Sequence, residues 1–183
     1  MKTKTRIVTP VMVSFVLFGR EQSAPLSLQE AQFIHAVSAA QQAGSVRNEL
    51  MQARARKERK QGICEVLGRN LSVSEWVGTL RRVELSMDGQ GTVEIEIADG
   101  ITVKTWNNAV SDALSNENTR VAPGGGLYQS LESINPGQRV AFSGSFVRNK
   151  TDCVEEASLT TSGSLSEPEF IFRFSGVSVA MNR

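Results

Sequence analysis

The chain predicts a mainly β domain of five strands with an α-helical N-terminal arm, and three observations predict it. Residues 27–61 contain no proline and space their apolar residues as a helix does. From Ser72 onward apolar and polar residues alternate with period two, and Asp-Gly and Pro-Gly turns divide the alternating runs. With 183 residues, 40% hydrophobic and 21% charged, the chain is large enough for one sizeable core and too small for two.

The first element is a segment that export would remove. Lys2, Lys4 and Arg6 precede an apolar run from Ile7 to Gly19, the charge-then-hydrophobe order of a secretory signal. The run is shorter than the roughly 20 residues a membrane span needs, and Arg20 and Glu21 end it. Ser23 and Ala24 set the expected cleavage after residue 24, which makes 1–24 a signal peptide and the location periplasmic. No cysteine follows the run, so a lipoprotein is disfavoured, and no integral span is expected. The alternative is a buried first strand or helix of a cytoplasmic protein.

The arm, residues 25–71, opens with Ser27 and Glu30 in capping-box spacing. Phe33, Val37, Ala40, Ala43, Val46 and Leu50 form a narrow apolar stripe, and Gly44-Ser45 is a place for it to break into two helices. Such a stripe packs against the β-domain, or associates with a second copy or a protein partner. His35 stands alone among apolar neighbours and reads as an ordinary helix residue. Arg54, Arg56, Lys57, Arg59 and Lys60 crowd the end of the arm, which reads either as a solvated face or as a candidate anion patch for phosphates or anionic lipid.

The domain, residues 72–183, begins with a strand from Trp76 to Leu85 and the turn Asp88-Gly89-Gln90-Gly91. Thr92 to Ala98 follows, with Val93, Ile95 and Ile97 on one face and Thr92, Glu94 and Glu96 on the other. Asp99-Gly100 turns the chain into a third strand, Ile101 to Trp106. Asn107 to Val121 is polar and poorly periodic, Pro123 to Gly126 is a loop, and Leu127 to Ile134 reads as a short helix. Asn135-Pro136-Gly137 delivers a strand from Arg139 to Val147; after a Ser/Thr-rich loop the last strand runs from Phe170 to Val179.

Three strands in a meander, a short helix and two further strands form the order β-β-β-α-β-β. Together with Glu75-Trp76-Val77-Gly78, where a glycine permits a sharp bend, and Pro136 to Gly144, this order resembles the OB-fold, a five-stranded Greek-key barrel. Residues 73–180 resemble such domains in small exported bacterial proteins of uncharacterised function. The rival architecture is a small β-sandwich.

The resemblance implies an oligonucleotide or oligosaccharide face on the second and third strands. Its candidate ligand residues are Glu94, Glu96, Lys104 and Trp106, two carboxylates against one ammonium with a single aromatic. Residues 72–183 carry nine Lys/Arg against fourteen Asp/Glu, a net of −5, while residues 1–71 carry eleven against five, a net of +6. A barrel so charged repels a phosphate backbone, so nucleic acid is disfavoured as a partner. One histidine leaves no ligand set for most zinc sites and no His-based nucleophile, so no catalytic residue, metal or cofactor is assigned and the chain is not read as an enzyme. Gly124-Gly125-Gly126 lacks the Lys-Ser/Thr ending of a phosphate loop, and Glu155, Glu156, Glu167 and Glu169 match no calcium-loop spacing. Cys64 and Cys153 would bridge arm and domain if the protein is exported, and would be buried thiols if it is not.

The expected function is that of a non-enzymatic exported binding module for a protein, glycan or small ligand. The alternatives are a cytoplasmic OB-fold nucleic-acid-binding protein and a membrane-tethered accessory subunit of an envelope assembly.

Overall fold

The computed structural model describes residues 25–45, 48–107, 109–158 and 160–181, so the expected signal segment lies outside them. Helix α1 (Leu28–Gly44) starts at Ser27, whose Oγ accepts the Glu30 amide at 3.1 Å. Half of the expected capping box is therefore made. The Glu30 side chain, instead of returning to Ser27, crosses to the barrel and accepts the Val77 amide at 2.8 Å. The chain breaks after Gly44, and α2 (Glu49–Leu67) begins under an Asn48 cap that accepts from Leu50 and Met51. Gly62 lets the two helices approach closely, because a Cβ there would come 2.9 Å from the Ala36 Cβ.

The remaining elements follow in chain order: β1 (Ser72–Leu85), β2 (Gly91–Ala98), β3 (Ile101–Lys104), α3 (Ala109–Ser115), α4 (Gly126–Glu132), β4 (Arg139–Phe146), β5 (Arg148–Asn149), β6 (Cys153–Val154), α5 (Thr161–Ser166) and β7 (Glu169–Val179). Five strands close a barrel in the order β1-β2-β3-β7-β4, with β3 and β7 parallel and every other pair antiparallel. This mixed five-stranded barrel is compatible with an OB-like fold.

Strand β1 serves two neighbours in succession, β4 from Ser72 to Thr79 and β2 from Thr79 to Leu85. At the handover a Cβ on Gly78 would meet Ile95 and stand 2.7 Å from the Glu96 carbonyl oxygen, so only glycine allows this approach. Farther along, Leu80 pairs with Ile95 and Arg82 with Glu94, which leaves Arg81 as the extra residue of a β-bulge.

The core runs through barrel and arm without a break. Trp76, Phe142, Phe170 and Phe172 are almost wholly buried, and Phe33 of α1 joins them, its ring 5.2 Å from Trp76, 5.1 Å from Phe146 and 5.2 Å from Phe170. Those partners lie near the start of β1, the end of β4 and the start of β7, so α1 closes that mouth of the barrel. Leu131 of α4 and Ile134 just beyond it belong to the same cluster, as do Ile63 and Leu67 of α2. Each such apolar side chain contributes roughly 1.5–3 kcal/mol through burial. Among the described residues no helix is long and apolar enough to cross a membrane.

Two short helices and a two-stranded sheet stand where the sequence reads as loop. Helix α3 lies inside the polar stretch after β3, and α5 starts in the Ser/Thr-rich loop, where Thr160 Oγ1 accepts the Gly163 amide at 3.0 Å. Strand β3 ends two residues before the expected Trp106. Thr105 Oγ1 accepts the Val93 amide at 3.1 Å, and the Trp106 amide turns away to Thr119 Oγ1 at 2.9 Å, which takes the chain out of the sheet.

Candidate functional site

The outer face of β1, β2 and β3 carries the residues that the OB resemblance singles out. The β1 bulge sets Arg81 and Arg82 on the same face as Glu96 and Glu94. Arg81 donates to the Glu96 carboxylate from both Nε and Nη2, the former at 2.9 Å. Arg82 lies 4.0 Å from Glu94 and 3.8 Å from Glu84. Across β3, Lys104 Nζ stands 3.8 Å from Glu94 and 3.2 Å from Glu169 of β7. Arg82, Glu94, Lys104 and Glu169 thus form a row of alternating charge across four strands, and each cation in it already faces a carboxylate.

Lys104 is also nearly buried, at 7% exposure of its side chain, so its ammonium is held in the row. Trp106 is half-buried, and its indole Nε1 is enclosed with no hydrogen-bond partner among the described residues. It lies beyond the end of β3.

The basic end of α2 divides between two directions. Arg54 is exposed and pairs with Glu58 at 2.7 Å along the helix, and Lys57 is exposed near it. Arg56 and Arg59 turn toward the β5–β6 sheet, Lys60 being half-buried. Arg59 lies on the same helical line as Ala55, Ile63 and Leu67, all buried, and is itself buried. Its guanidinium donates to the Ser164 carbonyl and, at 2.6 Å, to Glu156, and stacks 5.9 Å from the Phe170 ring centroid. Arg56 reaches Asp152 at 3.8 Å.

Between α2, the β5–β6 sheet and the start of α5 lies a cleft of about 220 Å³, whose lining includes Arg59, Asn149, Asp152, Glu156, Ser158 and Thr160. Burial pushes the Glu156 carboxyl up to about 7, against the pull of the Arg59 charge. The same burial lowers Arg59 below the usual guanidinium range. At neutral pH this carboxyl therefore stands near its titration midpoint.

Just beyond Arg59 on the same helix, Cys64 stands within disulfide distance of Cys153, their Cα atoms 5.9 Å apart and 89 residues apart in sequence. Cys153 has φ of 70°, a left-handed backbone that a non-glycine residue keeps only where its surroundings hold it. Two ion pairs and the cysteine pair fasten this corner to α2.

Two further groups carry features that the sequence reading does not single out. Arg120 is buried beside α3, where its Nη1 binds both Asp88 oxygens at 2.9 and 2.8 Å and its Nε reaches Asp112 at 3.3 Å. Hydrogen bonds from Ser86 and Arg120 hold Asp88 down at about 2. Glu30 is fully buried under α1, and burial pushes its carboxyl up to about 7 despite the Val77 amide and the Arg139 charge. Its second oxygen has no partner among the described residues. Among the described residues no cluster of three or more His, Cys, Asp or Glu side chains has the arrangement of a metal site.

No protein-family model matches the chain, and no curated protein matches it.

Proposed function

We propose that this chain is an exported, non-enzymatic interaction module in which an OB-like barrel, closed at one mouth by its helical arm, binds a protein, glycan or small ligand. The cysteine pair carries the reading. It joins α2 to β6 across 89 residues, and such a link persists in the oxidising compartments outside the cytoplasm. The charge row supports it from the other side: a phosphate backbone is held by cations free to release their counterions, and Arg81, Arg82 and Lys104 each already face a carboxylate. Contact with a small polar ligand would fall in the cleft beside the cysteines, where hydroxyl, amide and carboxylate groups converge.

Intact mass of the natively expressed protein, from separated periplasmic and cytoplasmic fractions with and without reduction, tests the reading. A periplasmic species lacking the first 24 residues, with both thiols unreactive until reduced, is the expected result. A full-length cytoplasmic species with two free thiols overturns it. Salt-sensitive binding of a single-stranded oligonucleotide, read by fluorescence anisotropy, would point instead to a nucleic-acid role.

A further inference from the structure

We infer that the chain pairs with a second copy of itself through the open edge of β1. The register of β1 with β4 stops at Thr79 and Arg139, and the last bonds on that side join Leu80 to Gly137 and Gln138. The strand continues to Leu85 with β2 on one side only.

The backbone groups that this leaves open follow from β2. Val93, opposite Val83, gives its N–H to Thr105 Oγ1 and its C=O to the Thr105 amide; Gly91, opposite Leu85, exchanges both groups with Val121. Neither has a backbone bond left for β1. The N–H and C=O of Val83 and Leu85 therefore point away from β2, to the open side, and among the described residues no backbone group answers them.

Side chains on this edge add a reason for association. Leu85 is 65% exposed and Met87 is fully exposed. Between the edge and α4 lies a groove of about 240 Å³ lined by Val83, Leu85, Tyr128 and Leu131, with Glu84 and Glu132 at its margin.

The occupant is a second copy because the edge is complementary to itself. A two-fold axis at Val83 sets Val83 against Val83 of the second copy in the pair that exchanges both backbone bonds. It also sets Arg82 opposite Glu84 of the second copy, and Glu84 opposite its Arg82, on the outer face. A two-fold at Glu84 fails on two counts: it opposes Glu84 to itself, and the backbone groups of Glu84 are turned toward β2. The dimer joins two barrels into one continuous sheet, sets Leu85 opposite Arg81 of the second copy and gives each Glu84 a cation from the other copy.

Sedimentation velocity on the whole chain as isolated from cells, from about 1 to about 300 μM, reads the association, since so short a strand pairing is expected to give a weak dimer. The expected result is a monomer–dimer equilibrium. Arg82→Glu and Glu84→Arg each raise the dissociation constant by roughly tenfold or more, because like charges then face each other at both symmetric positions, and the double swap restores it. Thermal unfolding of each variant confirms that it is folded, and the double swap separates pairing from folding. A monomer throughout, or a dimer indifferent to both single swaps, overturns the inference.

Discussion

The outer charge row and the Arg59 corner use the same chemistry at different depths. Arg81 and Arg82 are 52% and 57% exposed, so water screens their ion pairs and their side chains lose entropy in making them. Arg59 and Glu156 are only 6% and 12% exposed. There the mutual attraction is stronger, but each ion has also lost its hydration, and the pair is stable chiefly because neither member is left alone. The outer row adjusts the surface, whereas the inner pair decides whether the corner formed by α2, β5 and β6 holds.

Removing the cysteine pair from that corner should have the largest effect, if the two are bridged as proposed. Cys64→Ala with Cys153→Ala opens a loop of 89 residues and is expected to cost about 4.6 kcal/mol in the chain-entropy account, read as a lower urea midpoint. Arg59→Ala at pH 8 should cost about 3 kcal/mol, because without the guanidinium the buried Glu156 carboxyl must either stay charged alone or take up a proton. Replacing both partners, as Arg59→Met with Glu156→Leu, should recover most of that loss. Equal loss in the single and double variants would show that packing, not charge, sets the corner.

The buried carboxyls give the next effect, and its sign is fixed. Glu30 and Glu156 hold their protons up to about 7 in the folded chain, against 4.5 as the ordinary value. Between those values the folded state binds more protons than the unfolded one, so stability falls as pH rises through the window and levels above it. Asp88, at about 2 against 3.8, works in the opposite direction, and its contribution is lost as pH falls through that lower window. The thermal midpoint should therefore be higher at about pH 5 than at about pH 8, and Glu30→Gln should flatten part of the difference. A midpoint that rises across this range would contradict both carboxyl assignments. The smallest effect belongs to the surface: Arg81→Ala should cost no more than about 0.5 kcal/mol and nothing measurable at about 1 M salt.

The barrel is legible because its residues obey one local rule. Val93, Ile95 and Ile97 alternate with polar neighbours, and Gly78 and Gly144 stand where two strands approach too closely for a side chain. The break of the arm at Gly44 is legible for the same reason, while Val46 of the expected stripe falls outside the described residues and Leu50 is exposed on α2. Helices α3 and α5, of seven and six residues, are not legible, since helices so short owe their form to packing and not to propensity.

Arg59 is hidden by its neighbours. In a run of Arg54, Arg56, Lys57 and Lys60 it reads as one more solvated charge, yet its four-residue spacing from Ala55 and Ile63 puts it on the buried line. That spacing is the signal by which it could have been found. The charge row across β1 to β7 needs the Arg81 bulge, a register feature that a period-two pattern does not contain.

The contact of Phe33 with Phe170 sets an order of events in the life of the chain. A ribosome makes α1 well before β7, so the ring that closes the barrel mouth emerges long before the strand that completes the mouth. Until then the apolar side of α1 has no finished seat, and its contacts must wait for a loop of most of the chain length to close. The core shared by arm and barrel is therefore complete only once β7 has emerged, so a chain cut short before Glu169 keeps α1 without its seat.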